Sequence, residues 1–407
     1  MSGSDSEGTL GLFAAGTDDK PSGGGVVEYP GGSTGIISYS ALKNMIREGD
    51  IRATSEIRPE QIQPASIDLR LGRKAYRVRA SFLPGQNSTV MSKVEQLDGL
   101  PAIDLTEGAV FERGAVYVVE LLEHLRLTNG LVGAANPKSS TGRLDVLTRL
   151  ITNHGTAFDR VDRRYEGPLY VEMAPQAFSV VVRTGTRLNQ LRFHRGSSPG
   201  ITLSEAQRLY DSGQLTSPRA GSARLPLRGT HVPVTVDLLG SGPGSIVGYK
   251  ARKATNKIDL DKIAYYHPGD FWEKIEASNG RLNLDQGDFY ILATCEYVGV
   301  PPNLAAEMVP YDTASGEFRV HYAGFFDPGF GYAGGKAHGS KAVLEVRSYG
   351  VSFTLEHEQT IGWLNYSRLA GGAPDRLYGE NIKSNYQGQG VALAKHFKPW
   401  QAGASNH

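Results

Sequence analysis

The feature that most constrains this chain is that it repeats itself. Setting Gly114 to Pro137 beneath Gly287 to Pro310 aligns Gly, Tyr, Glu and Pro at one offset, since 287 − 114, 290 − 117, 296 − 123 and 310 − 137 all equal 173. The same offset carries Glu172 onto Glu345 and Leu191 onto Leu364. Looser echoes pair IDLRLG at 67–72 with VDLLG at 236–240, and AIDL at 102–105 with KIDL at 257–260. A duplicated unit of this size predicts two similar bodies, each with its own core.

Each unit is built from short runs rich in Val, Tyr, Leu and Thr, separated by Gly, Pro and Asn. In the first copy these are Ala75 to Ala80, Ala115 to Leu122, Leu131 to Ala134, Phe178 to Val182 and Leu188 to Phe193. Strands at that spacing predict a sandwich, jelly roll or distorted barrel. Helices are few. Ser38 to Asp50 reads as one, with Ser40 as N-cap, Leu42, Met45 and Ile46 at helical spacing, and Gly49 as the stop. Gln61 to Gly72 then opens a strand. Pro, Gly and Arg replace periodic apolar residues near residue 222, which divides the chain into a first copy over 36–222 and a second over 223–407. Residues 1–35 are rich in Gly, Ser and Asp and read as a disordered tail without the features of a secretory signal.

Composition removes several function classes. A formal net charge of +1 argues against a broad nucleic-acid footprint. No run of about 18 apolar residues occurs, so no membrane span is expected and the protein reads as cytoplasmic. The only cysteine, Cys295, excludes an intrachain disulfide and a thiolate cluster for zinc. Zinc-dependent nucleobase deaminases need a C-x-x-C element, and this chain has none, so any deamination is expected to proceed without zinc.

The densest chemistry lies between Ala134 and Phe193. Pro137, Lys138, Ser139, Ser140, Thr141, Gly142 and Arg143 form a hydroxyl-rich turn closed by a guanidinium, the parts that hold phosphate oxygens. Asp162, Tyr165 and Gly167 follow as an acid-aromatic-glycine turn. Glu172 then interrupts an apolar strand, where a carboxylate needs a partner or a task. A structural reading pairs it with Arg183 or Arg187, and would pair Arg143 with Asp145 or Asp162.

These residues resemble the deoxycytidine triphosphate deaminase branch of the trimeric deoxyuridine triphosphatase superfamily. That branch carries an R/K-S-S-x-x-R turn, an aspartate-aromatic-glycine hairpin and a Glu ten residues beyond the Asp; here 172 − 162 = 10. QIQPASIDLRLG at 61–72 resembles the family's first strand. The resemblance implies a mainly β fold of two tandem deoxyuridine triphosphatase-like distorted β-barrel or jelly-roll domains. It implies hydrolysis of dCTP to dUTP and ammonia, with magnesium travelling on the triphosphate. It further implies restraint by dTTP, and a homotrimer whose domains form two stacked rings, because the phosphate turn and the hairpin come from neighbouring domains.

By the same resemblance Glu172 is the general base and acid, with Arg143 keeping it ionised and Ser139 sharing the water. Lys138, Ser139, Ser140, Thr141, Gly142 and Arg143 would hold phosphates. Asp162 would take the sugar hydroxyl, Tyr165 would pack under the deoxyribose, and the backbone of Tyr170 and Val171 would read the base. Gln190 lies in the family's G-x-Q-L strand, as a structural hydrogen bond or a ligand contact.

The copies differ. At the offset of 173 the turn becomes PYDTASG, so Asp312 replaces Ser139 and Gly316 replaces Arg143, and an aspartate there would repel phosphate. The second copy keeps FFDPGFG around Asp327, but Glu345 stands 345 − 327 = 18 residues on, which departs from the family spacing. Asp327 and Glu345 are therefore second-copy candidates only. The run at 376–390 resembles the family's closing tail, with Tyr378, Asn385 and Gln389 over the triphosphate and Lys383 near the place of a usual Lys. Two other functions stay open: release of pyrophosphate from dUTP, alone or with deamination, and non-catalytic nucleotide binding.

Overall fold

The computed structural model describes residues 34–97, 101–128, 130–196, 200–219, 222–310, 318–321, 324–371, 374, 376–379, 388 and 390–400. In the first copy the strands Val146–Thr152, Glu166–Pro175, Val116–Arg126, Ile67–Val78, Arg187–Arg195, Leu131–Pro137 and Arg160–Val161 lie side by side in that order. This barrel-like sheet encloses Leu69, Leu71, Val119, Leu121, Leu150, Val171, Leu191 and Phe193, all buried.

The second copy repeats the pairing. Trp272–Glu276, Ile246–Ala251, Phe289–Val298, Lys341–Ser348 and Phe318–His321 form one sheet; Val232–Thr235, Thr360–Arg368, Leu304–Pro310 and Phe325–Phe326 form another. Register is conserved between the copies at the sequence offset. Asn189 faces Pro137 and Gly362 faces Pro310, with 362 − 189 and 310 − 137 both 173. Glu172 faces Val118 and Glu345 faces Ile291, again 173 apart. The repeat read in the sequence is thus a repeat of strand pairing, in which each side chain keeps its face.

The helix expected over Ser38 to Asp50 forms at Tyr39–Glu48, with Ser38 rather than Ser40 at the N-cap and Gly49 closing it at φ 82°. A second helix, Leu203–Asp211, buries Ala206, Leu209 and Tyr210 in the second core. Thr216–Ser217 pairs with Phe289–Val298. The second body therefore starts recruiting chain upstream of the break expected near residue 222. No helix among the described residues is long and apolar enough to cross a membrane.

The copies are knitted together. Val180–Val182 of the first pairs in parallel with Ile258–Asp259 of the second. Arg192, fully buried, donates across the joint to the carbonyls of Ala306 at 3.0 Å and Phe326 at 3.3 Å. Side by side, they share a face that holds the cavity described below.

Candidate active site between the two copies

Pro137 ends its strand and Lys138 begins a tight turn. The Lys138 backbone N–H donates to the Leu188 carbonyl at 2.8 Å, and the Thr141 hydroxyl donates to the same carbonyl at 2.9 Å. Ser139–Gly142 then makes one helical turn, closed where the Arg143 N–H meets the Ser139 carbonyl at 3.0 Å. The Lys138 ammonium bonds the buried Asp68 carboxylate at 2.5 Å, and Arg187 stands 3.6 Å from the other oxygen of that acid. Arg143 is buried and donates to the Ala392 carbonyl at 3.0 Å.

The second copy faces this turn. A cavity of about 780 Å³ is lined on one side by Lys138, Ser139, Ser140, Thr141, Arg143 and Gln190, and on the other by Phe325, Asp327, Phe330, Glu345 and Tyr378. Glu345 is carried by the strand Lys341–Ser348 and buried. Burial pushes its carboxyl from the ordinary 4.5 up to about 8, with the Arg143 guanidinium pulling the other way. Two residues beyond Glu345, Arg347 closes an ion pair on Asp145, two residues beyond Arg143. Asp145 is buried and sits at φ 53°, a conformation that costs a non-glycine residue on the order of 1 kcal/mol. Asp327 accepts from Arg192 at 3.3 Å, and the Arg192 guanidinium lies 4.1 Å from the Phe325 ring centre. Tyr378 packs against Phe330 with ring centres 5.4 Å apart.

The structure separates the remaining expected residues from this cavity. Strand pairing sets Glu172 directly opposite Arg149, so its carboxylate meets that guanidinium at 2.5 and 3.0 Å instead of Arg143, Arg183 or Arg187. Arg149 is in turn stacked on Phe158 at 4.0 Å and bonded to the Ser81 hydroxyl at 2.9 Å. Tyr170 packs with Val90 and Val94 of the short helix Val90–Gln96, which roofs this face, while Val171 is buried in the first core. Asp162 pairs with Arg160 in solvent, and the Tyr165 hydroxyl donates to the Pro168 carbonyl at 2.5 Å. Gly142 is buried beneath the turn. Arg183 and Arg187 serve Asp259 and Asp68 respectively. Within one chain Glu172 and Arg143 do not meet: the turn and the carboxylate that face each other here belong to different copies. Lys383, Asn385, Gln389, Asp312 and Gly316 lie outside the described residues.

One chain brings the Lys138 to Arg143 turn and the Glu345 carboxylate to a common cavity. Elsewhere, Asp237, Cys295 and His357 place one ligand atom each within 4.8 Å of one another. Lys341 at 2.6 Å and Arg219 at 3.2 Å already neutralise that aspartate, and burial pushes the thiol up to about 12, so the group acts as an internal network.

Comparison with known proteins identifies the family and the fold. Residues 33–197 match the family model for the 2′-deoxycytidine 5′-triphosphate deaminase N-terminal domain, and 204–397 match that for its C-terminal domain. The chain belongs to the 2′-deoxycytidine 5′-triphosphate deaminase family. Its fold is similar to the crystal structure of the deaminase from Agrobacterium tumefaciens, at TM-score 0.78 and 44% identity over 84% of this chain and 99% of that one. A dCTP deaminase (dUMP-forming) from Corynebacterium glutamicum is 30% identical over 189 residues, 46% of this chain and 91% of the relative. A dCTP deaminase from Natronomonas pharaonis is 27% identical over 187 residues, 46% of this chain and 93% of the relative. These relatives are single-copy length. In this family member the sequence reading missed Asp68, Arg187, Phe325, Lys395 and His396 as cavity residues. Two of them had a signal: Asp68 lies in the QIQPASIDLRLG motif and Phe325 opens FFDPGFG.

Proposed function

We propose that this deaminase hydrolyses dCTP to dUTP and ammonia in the cavity between the copies, with Glu345 as the proton-transfer group and the Lys138 to Arg143 turn as the triphosphate grip. Deamination is the reaction of the family, and family membership supports it here. The observation that carries the assignment of residues is the meeting of Arg143 from the first copy with Glu345 from the second in one cavity.

Cytosine C4 is a poor electrophile until the ring is protonated. Burial lifts the Glu345 carboxyl to about 8, which favours a protonated acid that can give its proton to ring N3. The carboxylate formed is held by Arg143. It takes a proton from water as the water oxygen bonds to C4, passes that proton to the amino group, and recovers one from the new hydroxyl as C4=O forms and ammonia leaves. Atoms and protons balance, and the acid ends as it began. Lys138, Ser139, Ser140 and Thr141 bind phosphate oxygens, and magnesium enters as part of the substrate. Asp327 and Phe325 are placed to meet sugar and base. dTTP would compete for the same grip, and the expected setting is the cytoplasm.

Copy one's Glu172 has no comparable grip, since a second-copy turn would offer Asp312 and Gly316. Ammonia and pyrophosphate released from dCTP and dUTP, measured for wild type, Glu345→Gln and Glu172→Gln, test the reading. Ammonia lost with Glu345→Gln and kept with Glu172→Gln supports it; the reverse pattern overturns it. Pyrophosphate released along with ammonia would make the enzyme bifunctional, like the dUMP-forming relatives. Light scattering on active fractions tests whether one chain suffices.

A further inference from the structure

Among the described residues two buried ion pairs join the copies, Arg192 with Asp327 and Arg347 with Asp145. The first stands beside Phe325 at the cavity wall. Neither member of the second lines that wall, yet each stands two residues from a group that does: Asp145 from Arg143, and Arg347 from Glu345. Each is also fastened to its own copy. The Asp145 N–H donates to the Gly142 carbonyl and the Asp145 carbonyl accepts from the Gln176 N–H, both at 2.8 Å. Arg347 donates to the Gly287 carbonyl, and its guanidinium lies 5.8 Å from the Phe289 ring centre. Alternation along Lys341–Ser348 puts Glu345 and Arg347 on one face of the strand.

A buried ion pair is a poor source of stability, because desolvation offsets much of the attraction, and its best-attested use is to fix register. Here the register is that of Arg143 against Glu345. Asp145 sits at φ 53°, a conformation that persists only where the surroundings over-determine it. Arg347 meets a second need as well. The Asp145 charge opposes ionisation of Glu345 while Arg143 favours it, so Asp145 without Arg347 would disfavour the carboxylate that the proposed mechanism forms.

Resting on the reading of Glu345 and Arg143 as partners in one active site, we propose that Asp145 and Arg347 are positioning residues, whose ion pair across the joint sets the placement of the Arg143 guanidinium against the Glu345 carboxyl. The pair acts on proton transfer and not on the phosphate grip, so it governs turnover and leaves substrate affinity nearly alone.

Steady-state kinetics of ammonia release from dCTP, with urea midpoints on the same preparations of the full chain, test this for Asp145→Asn, Arg347→Gln, Arg347→Lys and the double variant Asp145→Asn with Arg347→Gln. Each neutral single variant leaves a buried charge without its partner, whereas the double variant removes both charges and is the better folded protein. The double variant should lose roughly 10- to 100-fold in kcat, the scale for a small misplacement of a reacting group, with the KM for dCTP within about threefold. Arg347→Lys keeps a cation beside Asp145 and should turn over faster than Arg347→Gln. A double variant with wild-type kcat overturns the proposal, as does a loss carried by KM alone or a kcat that simply follows the urea midpoint through the series. A double variant that does not fold also overturns it, because the pair would then belong to the fold only. Ammonia release undiminished in Glu345→Gln sinks the reading of the cavity and this proposal with it. An inactive Glu345→Gln beside a fully active double variant sinks the positioning role alone.

Discussion

Glu172 and Glu345 occupy the same place in two copies of one sheet, at matching register, and lead opposite lives. Glu172 is opposite Arg149, which is stacked on Phe158 and roofed by an inserted helix. Glu345 opens onto a cavity whose far wall is the other copy's cationic turn. The strand alone makes neither acid catalytic. On the proposed reading each copy supplies one half of a site: the first the grip, the second the acid.

Exchanging the two acids one at a time breaks the comparison most directly. Glu345→Gln should lower ammonia release about 10²- to 10⁴-fold, the usual worth of a proton-transfer group, whereas Glu172→Gln should change it less than about threefold. Initial rates of ammonia release from dCTP at saturating substrate check both.

Removing the cation beside Glu172 comes next. Arg149→Ala strands a buried carboxylate and should destabilise the chain by about 3–5 kcal/mol, read as a lower urea midpoint. The double variant Arg149→Ala with Glu172→Gln should regain much of that, because the stranded Glu172 carboxylate is gone. Activity per folded molecule should hold in both. A stable Arg149→Ala that loses activity would return the chemistry to the first copy.

Much of this was legible in the sequence, and the part that was not has a physical reason. The offset of 173 is a strand-pairing register, a local property that side-chain alternation writes into sequence. The helix Tyr39–Glu48 follows from apolar spacing, and Leu203–Asp211 had a signal in Thr202 capping the Glu205 N–H at 3.3 Å. The Lys138 to Arg143 turn was readable as an anion grip. Which carboxylate faces it is decided by how the copies pack, through Val180–Val182 against Ile258–Asp259 and Arg192 against Asp327, contacts with no period in the chain. The spacing of 10 from Asp162 to Glu172 fits the family, while within this chain Glu172 meets Arg149. The strand Lys341–Ser348, which follows the longer second hairpin, carries the acid that lines the cavity with Arg143.

The acids should also separate by pH. Below its ordinary 4.5, Glu345 is neutral in folded and unfolded chains alike; between there and about 8 only the unfolded chain ionises, so the folded state loses stability as pH rises across that window. Glu345→Gln removes this penalty and should be the more stable protein at pH 8 by roughly 2–4 kcal/mol, with no advantage near pH 4. Urea midpoints at the two pH values measure it. A wild type as stable as the variant at pH 8 would mean that Glu345 is ionised and satisfied in the empty cavity, and the proton donation to N3 would then need another source.

The smallest effect sharpens the comparison between the two hairpins. Asp162 matches the family's sugar-binding aspartate by spacing, yet its side chain is 63% exposed and paired with Arg160 at 3.0 Å. Exposed pairs of this kind contribute about 0.2–1 kcal/mol, so Asp162→Ala should move the urea midpoint barely at all and leave the KM for dCTP within about twofold. Asp327→Asn, altering the buried equivalent that Arg192 holds at the cavity, should raise that KM clearly. If Asp162→Ala raised it instead, the hairpin of the first copy would be binding substrate in some other partner's cavity, and the division of labour between the copies would have to be redrawn.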